Sequence, residues 1–319
     1  MYAPISLDTI TLLERDTGPV PNDAARLRIV PLSPGIGARI EGVDLSQPVP
    51  DAIKAALRQA WSDHLVILFQ GQVLTPREYR DAAAIFGTPQ EGANRRYYQE
   101  AGLPTQDEVA EVSILSNLGP DGLPVRENDG LGSLEVVWHS DNSYIEKPPV
   151  GSALYALEAP ADSGRTSFAN QYLAYETLPE DLRAAIAGRR AKHDASRNSA
   201  GVLRPGIKKP TTAEEVPGPF HPLVVVNPET GRRALYLGRR RIWPSQYIEG
   251  IDHAESEALL DRLWAHATKP EFTWTHSWTP GDLLVWSNRY AMHHRTPIDE
   301  TRRRVMLRTQ FQGEAPTAG

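Results

Sequence analysis

Short runs of alternating apolar and polar residues dominate the chain, and only a few stretches carry apolar positions three or four apart. Residues 27–32 and 38–43 alternate around the turn Ser33-Pro34-Gly35-Ile36-Gly37, which predicts an early hairpin. Between 51 and 61, Ile53, Ala56, Leu57, Ala60 and Trp61 fall at helical spacing, and the β-rich run 65–69 reads as a buried strand. Thr75-Pro76-Arg77-Glu78 places Thr at an N-cap, Pro at the first helical position and Glu two residues on, predicting a helix that Gly87 ends.

Residues 112–116, 134–139, 152–157 and 165–169 read as strands, the last two as neighbours joined by the loop 160–164. Thr177-Leu178-Pro179-Glu180 reads as a second capping box, opening a helix closed by Gly188. A hairpin over 223–226 and 234–237 follows, then a helix capped by Asp252 with Leu259, Leu260, Leu263 and Trp264 as its apolar stripe. Strands over 272–276, 283–286 and 304–311 complete the pattern. Many short strands with few helices predict a mainly β fold with flanking helices, a β-sandwich or jelly roll. Residues 1–26 read as an irregular arm and 27–319 as a single domain.

Residues 88–110 lack periodicity and hold Arg95, Arg96, Tyr97 and Tyr98, so they read as a lid or binding loop, with a solvated surface loop as the alternative. With 40% hydrophobic and 23% charged residues, the 319-residue chain has the composition of a soluble globular enzyme. A formal charge of −6 argues against nucleic-acid binding, the Arg runs at 239–241 and 302–304 being local. No apolar run approaches the ~18 residues of a membrane span, and Asp8, Glu14 and Asp16 are out of keeping with a signal peptide, so a cytoplasmic protein is expected. The absence of cysteine excludes disulfides, thiolate metal sites and a Cys nucleophile, leaving N and O ligands for any metal.

The candidate chemistry centres on Trp138-His139-Ser140-Asp141-Asn142-Ser143-Tyr144. In a strand, His139 and Asp141 project to one side, and with one further His they make the two-His, one-carboxylate set of non-haem Fe(II) oxygenases. A second pair, His253-Ala254-Glu255, opens a helix, where residues two apart do not face each other. The third ligand would come from His293 or His294, which cannot both face inward from one strand. On the last strand Arg304, Met306, Arg308 and Gln310 share a face. Two inward arginines would need an anion such as a dicarboxylate, whereas on a solvated edge they would need none.

Together, Trp-His-x-Asp at 138–141, Asn-Arg-x-x-x-His at 288–293 and Arg-Arg-x-x-x-Arg at 303–308 resemble the taurine and aryloxyalkanoate dioxygenase family of Fe(II)- and 2-oxoglutarate-dependent enzymes. Gly42-Val43-Asp44-Leu45, Gly164-Arg165-Thr166-Ser167-Phe168-Ala169-Asn170 and Ala174-Tyr175 extend the likeness from about residue 27 to residue 312. The resemblance implies a double-stranded β-helix in which His139, Asp141 and His293 bind iron. It implies that Thr166 and Arg308 contact the distal carboxylate of 2-oxoglutarate, with Arg304 near the same cosubstrate. It further implies consumption of O2, release of succinate and CO2, and assembly as a dimer or tetramer.

Asp at position 141 leaves no coordination site for halide, so hydroxylation is expected. The taurine enzyme has Asn where this chain has Glu135, and a His in the preceding loop where this chain has none from 65 to 138, so the likeness does not extend to taurine. Arg95, Arg96, Tyr97, Tyr98, Glu135, Asn142 and Tyr144 are the candidate pocket wall for a small anionic or zwitterionic molecule. A zinc hydrolase on the same ligands and a non-catalytic jelly-roll binding protein are the rival readings.

Overall fold

The alternating stretches pair into two facing sheets in the computed structural model, which describes residues 10, 12–14, 18, 21–91, 109–127, 132–197, 201, 203, 204 and 206–319. Strands in chain order are β1 (Arg28–Pro31), β2 (Ala38–Glu41), β3 (Val66–Phe69), β4 (Pro89–Gln90), β5 (Ser113–Ser116), β6 (Val136–His139), β7 (Gly151–Glu158), β8 (Thr166–Asn170), β9 (Arg190–Lys192), β10 (Phe220–Pro222), β11 (Val224–Val226), β12 (Arg233–Leu235), β13 (Thr273–His276), β14 (Leu283–Ser287), β15 (Ala291–Arg295) and β16 (Val305–Phe311). The helices are α1 (Asp51–His64), α2 (Pro76–Ala83), α3 (Gln171–Glu176), α4 (Glu180–Ile186) and α5 (His253–Ala267).

The larger sheet runs β1-β2-β3-β14-β7-β16-β4, with β5 also paired to β16, and the smaller runs β13-β8-β15-β6. The β2–β3 pair is parallel because α1 is the crossover between its strands. Of the β-sandwich or jelly roll that the strand pattern predicted this is the jelly roll, the double-stranded β-helix that the family resemblance implies.

Side-chain alternation assigns the two faces of the larger sheet. Tyr155, Leu283, Val285, Leu307 and Phe311 pack outward with α1 and α2, joining Ile53, Leu57 and Tyr79. Leu154, Leu284, Trp286 and Met306 point the other way, onto Phe168 of the smaller sheet. The inner face of β16 is therefore the one that also carries Arg304, Arg308 and Gln310.

The Thr75 capping box is present as expected, with both reciprocal hydrogen bonds made. The second one is not. Thr177 instead ends α3, its hydroxyl donating to the Leu173 carbonyl, and α4 starts after Pro179 without a side-chain cap. Strands β7 and β8 are not neighbours, since the intervening loop carries the chain from the larger sheet to the smaller. The strand entering the His-x-Asp motif stops at His139, and Asp141 lies in the following turn.

Candidate active site

Strands β6 and β15 pair so that His139 and His293 stand directly opposite, with ring centroids 4.0 Å apart. His139 Nε2 lies 3.4 Å and His293 Nε2 3.8 Å from Asp141 Oδ1, and the three donor atoms all fall within 4.8 Å of one another. His294 alternates outward and pairs with Glu135 at 2.6 Å, so of the two adjacent histidines it is His293 that stands with His139 and Asp141. Within the turn, the fully buried Asn288 replaces a neighbouring strand for Asp141. Its Oδ1 accepts from the Asp141 N–H at 2.6 Å, and its Nδ2 donates to the Asp141 carbonyl at 2.8 Å.

The electrostatics suit metal binding. Burial, with the charge of Arg239 beside it, pushes His139 down to about 4, and burial followed by His139 holds His293 well below its ordinary range. Both imidazoles are thus neutral donors. The His139 Nδ1 proton goes to the Val137 carbonyl at 2.8 Å, which leaves Nε2 as the free lone pair. Burial would raise Asp141, but His293, the contact with His139 and the charge of Arg308 outweigh it and hold the carboxyl well below the carboxylate range.

Beside these donors is a cavity of about 60 Å3 whose wall includes Leu154, Thr166, Trp286, Arg295, Arg304 and Arg308. Arg304 is buried, and its Nε has no hydrogen-bond partner among the described residues. Burial and the nearby Arg295 depress it well below the guanidinium range. Arg295 itself is spoken for by the carbonyls of Gly132 and Leu134. The Thr166 hydroxyl accepts from Trp278 Nε1 at 2.8 Å, so its own proton remains to be given. A buried guanidinium with an unpartnered Nε on the same wall as a hydroxyl donor is a cradle for a carboxylate, and it lies in the same cavity as two neutral imidazoles and a carboxylate. The residues present therefore fit both a divalent iron and a dicarboxylate cosubstrate.

Among the sequence candidates, His139, Asp141, Thr166, His293, Arg304 and Arg308 come together around this cavity. Glu135 does not, because it sits with His294 on the sheet face turned away from it. Asn142 and Tyr144 line a separate small cleft with Asp194, Arg197, Arg239 and Arg241. Arg95, Arg96, Tyr97 and Tyr98 lie outside the described residues. Trp278 and Arg295 carry no role in the sequence reading, and Asn288 enters it only as the first residue of the Asn-Arg-x-x-x-His motif. Arg295 could have been singled out, since it stands two residues beyond His293 on the same strand face.

Two neutral imidazoles and one carboxylate, open on one side within a double-stranded β-helix, define a non-haem iron(II) oxygenase. The chain belongs to the taurine catabolism dioxygenase TauD, TfdA family, whose model it matches over residues 28–310. It is 31% identical over 296 residues to an (S)-phenoxypropionate/alpha-ketoglutarate-dioxygenase of Sphingobium herbicidovorans, covering 90% of this chain and 95% of the relative. It is 32% identical over 302 residues to an alpha-ketoglutarate-dependent sulfate ester dioxygenase of Pseudomonas putida, covering 92% of each. A crystal structure of AAD-2 in complex with Mn(II) and N-oxalylglycine superimposes with a TM-score of 0.77 at 27% identity, covering 92% of this chain and 100% of that one. The protein is a 2-oxoglutarate-dependent non-haem iron dioxygenase that uses Fe(II), 2-oxoglutarate and O2 on a small-molecule substrate. No helix among the described residues is long and apolar enough to cross a membrane.

Proposed function

We propose that His139, Asp141 and His293 hold the iron, that Thr166 and Arg304 bind the distal carboxylate of 2-oxoglutarate, and that Arg308 meets the anionic group of a small organic substrate that is hydroxylated. Bound together, iron and 2-oxoglutarate supply oxygen activation, the cosubstrate leaving as succinate and CO2 while the substrate gains one oxygen. The chain's own residues orient and exclude. Leu154 and Trp286 keep the cavity wall apolar, and the Thr166 proton, freed by the Trp278 bond, is aimed at the carboxylate.

What supports the division between the arginines is that the charge of Arg308 bears on Asp141 and His293, while the charge bearing on Arg304 is that of Arg295 and the Arg304 Nε has no hydrogen-bond partner among the described residues. A five-carbon dicarboxylate chelated at one end reaches away from the metal, so the guanidinium whose Nε lacks a hydrogen-bond partner among the described residues is its natural terminus. This reverses the emphasis of the sequence likeness, which gave that carboxylate to Arg308 first. The anionic substrate is supported by the relatives, since phenoxypropionate and sulfate esters both carry charged oxygens.

Anaerobic titration with Fe(II) and 2-oxoglutarate, followed by air and a panel of aryloxy carboxylates and alkyl sulfates, tests the reading by a visible charge-transfer band and by succinate release. Metal-loaded protein without the band counts against it. Arg304→Gln raises the KM for 2-oxoglutarate and Arg308→Gln that for the substrate. The opposite pattern returns the distal carboxylate to Arg308.

A further inference from the structure

We infer that Gln310, Asn142 and Tyr144 form a hydrogen-bonded relay that positions Asp141 and reserves its Oδ2, so that the carboxylate meets the metal through Oδ1 alone. The inference rests on the ligand assignment proposed above. Its direction follows from elementary donor and acceptor rules. A carboxylate only accepts, so Gln310 must offer its Nε2 to Asp141 Oδ2, at 3.3 Å. Gln310 Oε1 is then left to accept from Asn142 Nδ2 at 3.1 Å, and Asn142 Oδ1 from the Tyr144 hydroxyl at 3.0 Å. Every donor in the series is aimed the same way, toward the carboxylate, and such chains strengthen each bond they contain.

Three features hold the relay in place. Asn142 takes a left-handed backbone with φ at 50°, a conformation Asn tolerates better than most residues, directly after Asp141. The Tyr144 ring lies under the Arg204 guanidinium, 4.4 Å from its centroid. Ser152, the register partner of Gln310 across β7 and β16, adds a second donor to the same Oδ2 at 3.1 Å. With Oδ2 taken by two donors and the Asp141 backbone gripped by Asn288, Oδ1 is the oxygen turned toward the two imidazoles. Tyr144 and Asn142, candidates for the substrate wall in the sequence, thus act through Gln310 on a metal ligand.

Mn(II) binding to the metal-free full chain, read from the free-ion EPR signal, tests this without reference to turnover. Gln310→Met, close in shape but with no donor, weakens Mn(II) binding by roughly tenfold or more; it also leaves Asn142 Nδ2 without its acceptor and so lowers the unfolding midpoint of the metal-free protein, and the affinity is the deciding readout. A purely packing role for Gln310 would move the midpoint and not the affinity. Tyr144→Phe keeps its ring beneath Arg204 and removes only the outermost donor, so it serves even where Gln310→Met does not fold, and a loss of roughly two- to threefold is expected. Affinities of the obtainable variants within experimental error of wild type overturn the relay. Asp141→Ala separates the two levels of the argument, because unchanged Mn(II) binding there sinks the ligand assignment itself.

Discussion

Replacing Arg304 by Met separates what this residue costs the fold from what it gives the cosubstrate. The side chain is 5% exposed, its Nε has no partner among the described residues, and Arg295 repels it. Met keeps much of the aliphatic stem and deletes the guanidinium, whose carbon lies 6.0 Å from the centroid of the Trp278 ring. Relief of one buried, unsatisfied donor is worth about 1–3 kcal/mol. The ligand-free variant should therefore melt about 2–5 °C above wild type, given a few degrees per kcal/mol in a protein of this size. On the proposed assignment, the same change removes a buried charge-assisted contact to the distal carboxylate, worth about 2–5 kcal/mol. At 1.4 kcal/mol per decade that is about thirtyfold or more in the dissociation constant of 2-oxoglutarate. Calorimetric titration of the Mn(II) form with 2-oxoglutarate, beside scanning calorimetry of the ligand-free protein, reads both quantities. A variant that is less stable without ligand, or that binds 2-oxoglutarate as wild type does, refutes the reasoning.

Thr166→Val preserves shape but strands the Trp278 indole N–H, so it should cost about 1–3 kcal/mol in urea unfolding and weaken 2-oxoglutarate binding by roughly tenfold. His193 is buried against Tyr236, and burial, with His221 beside it, holds it neutral in the fold well below the ordinary His range. Because only the unfolded chain takes up this proton near pH 6.5, its share of stability is complete above that pH and is lost as pH falls below it, by up to about 1.4 kcal/mol per unit. His193→Phe keeps the stack and should flatten the loss between pH 7.5 and 5.5, and an unchanged acid slope contradicts the assignment. Thr75→Ala, which removes the side-chain half of the α2 capping box and leaves the backbone N–H of residue 75 donating to Glu78, should cost about 1 kcal/mol in the same unfolding assay without changing succinate release.

What could be read from the sequence and what could not divide along a physical line. Period-two alternation carries face and strand, so β14 and β16 were legible together with their inner residues, and Arg304, Arg308 and Gln310 do share the inner face. Sheet membership is a property of loops, which alternation does not encode. Residues 152–157 and 165–169 were therefore read as neighbours, although they lie in different sheets. Competing local hydrogen bonds misled the Thr177 reading in the same way, since a hydroxyl that can cap the next helix can equally satisfy the Leu173 carbonyl of the previous one. At the site, the inference that His139 and Asp141 face one cavity was right for a partly wrong reason. The strand ends at His139, and Asp141 is brought round by the turn that Asn288 holds through both backbone groups. A turn fixed by a side chain 147 residues away leaves no periodic trace. The pairing of β6 with β15 nonetheless brings the second histidine opposite the first, so the spacing of the two motifs along the chain had little bearing on the geometry that unites them.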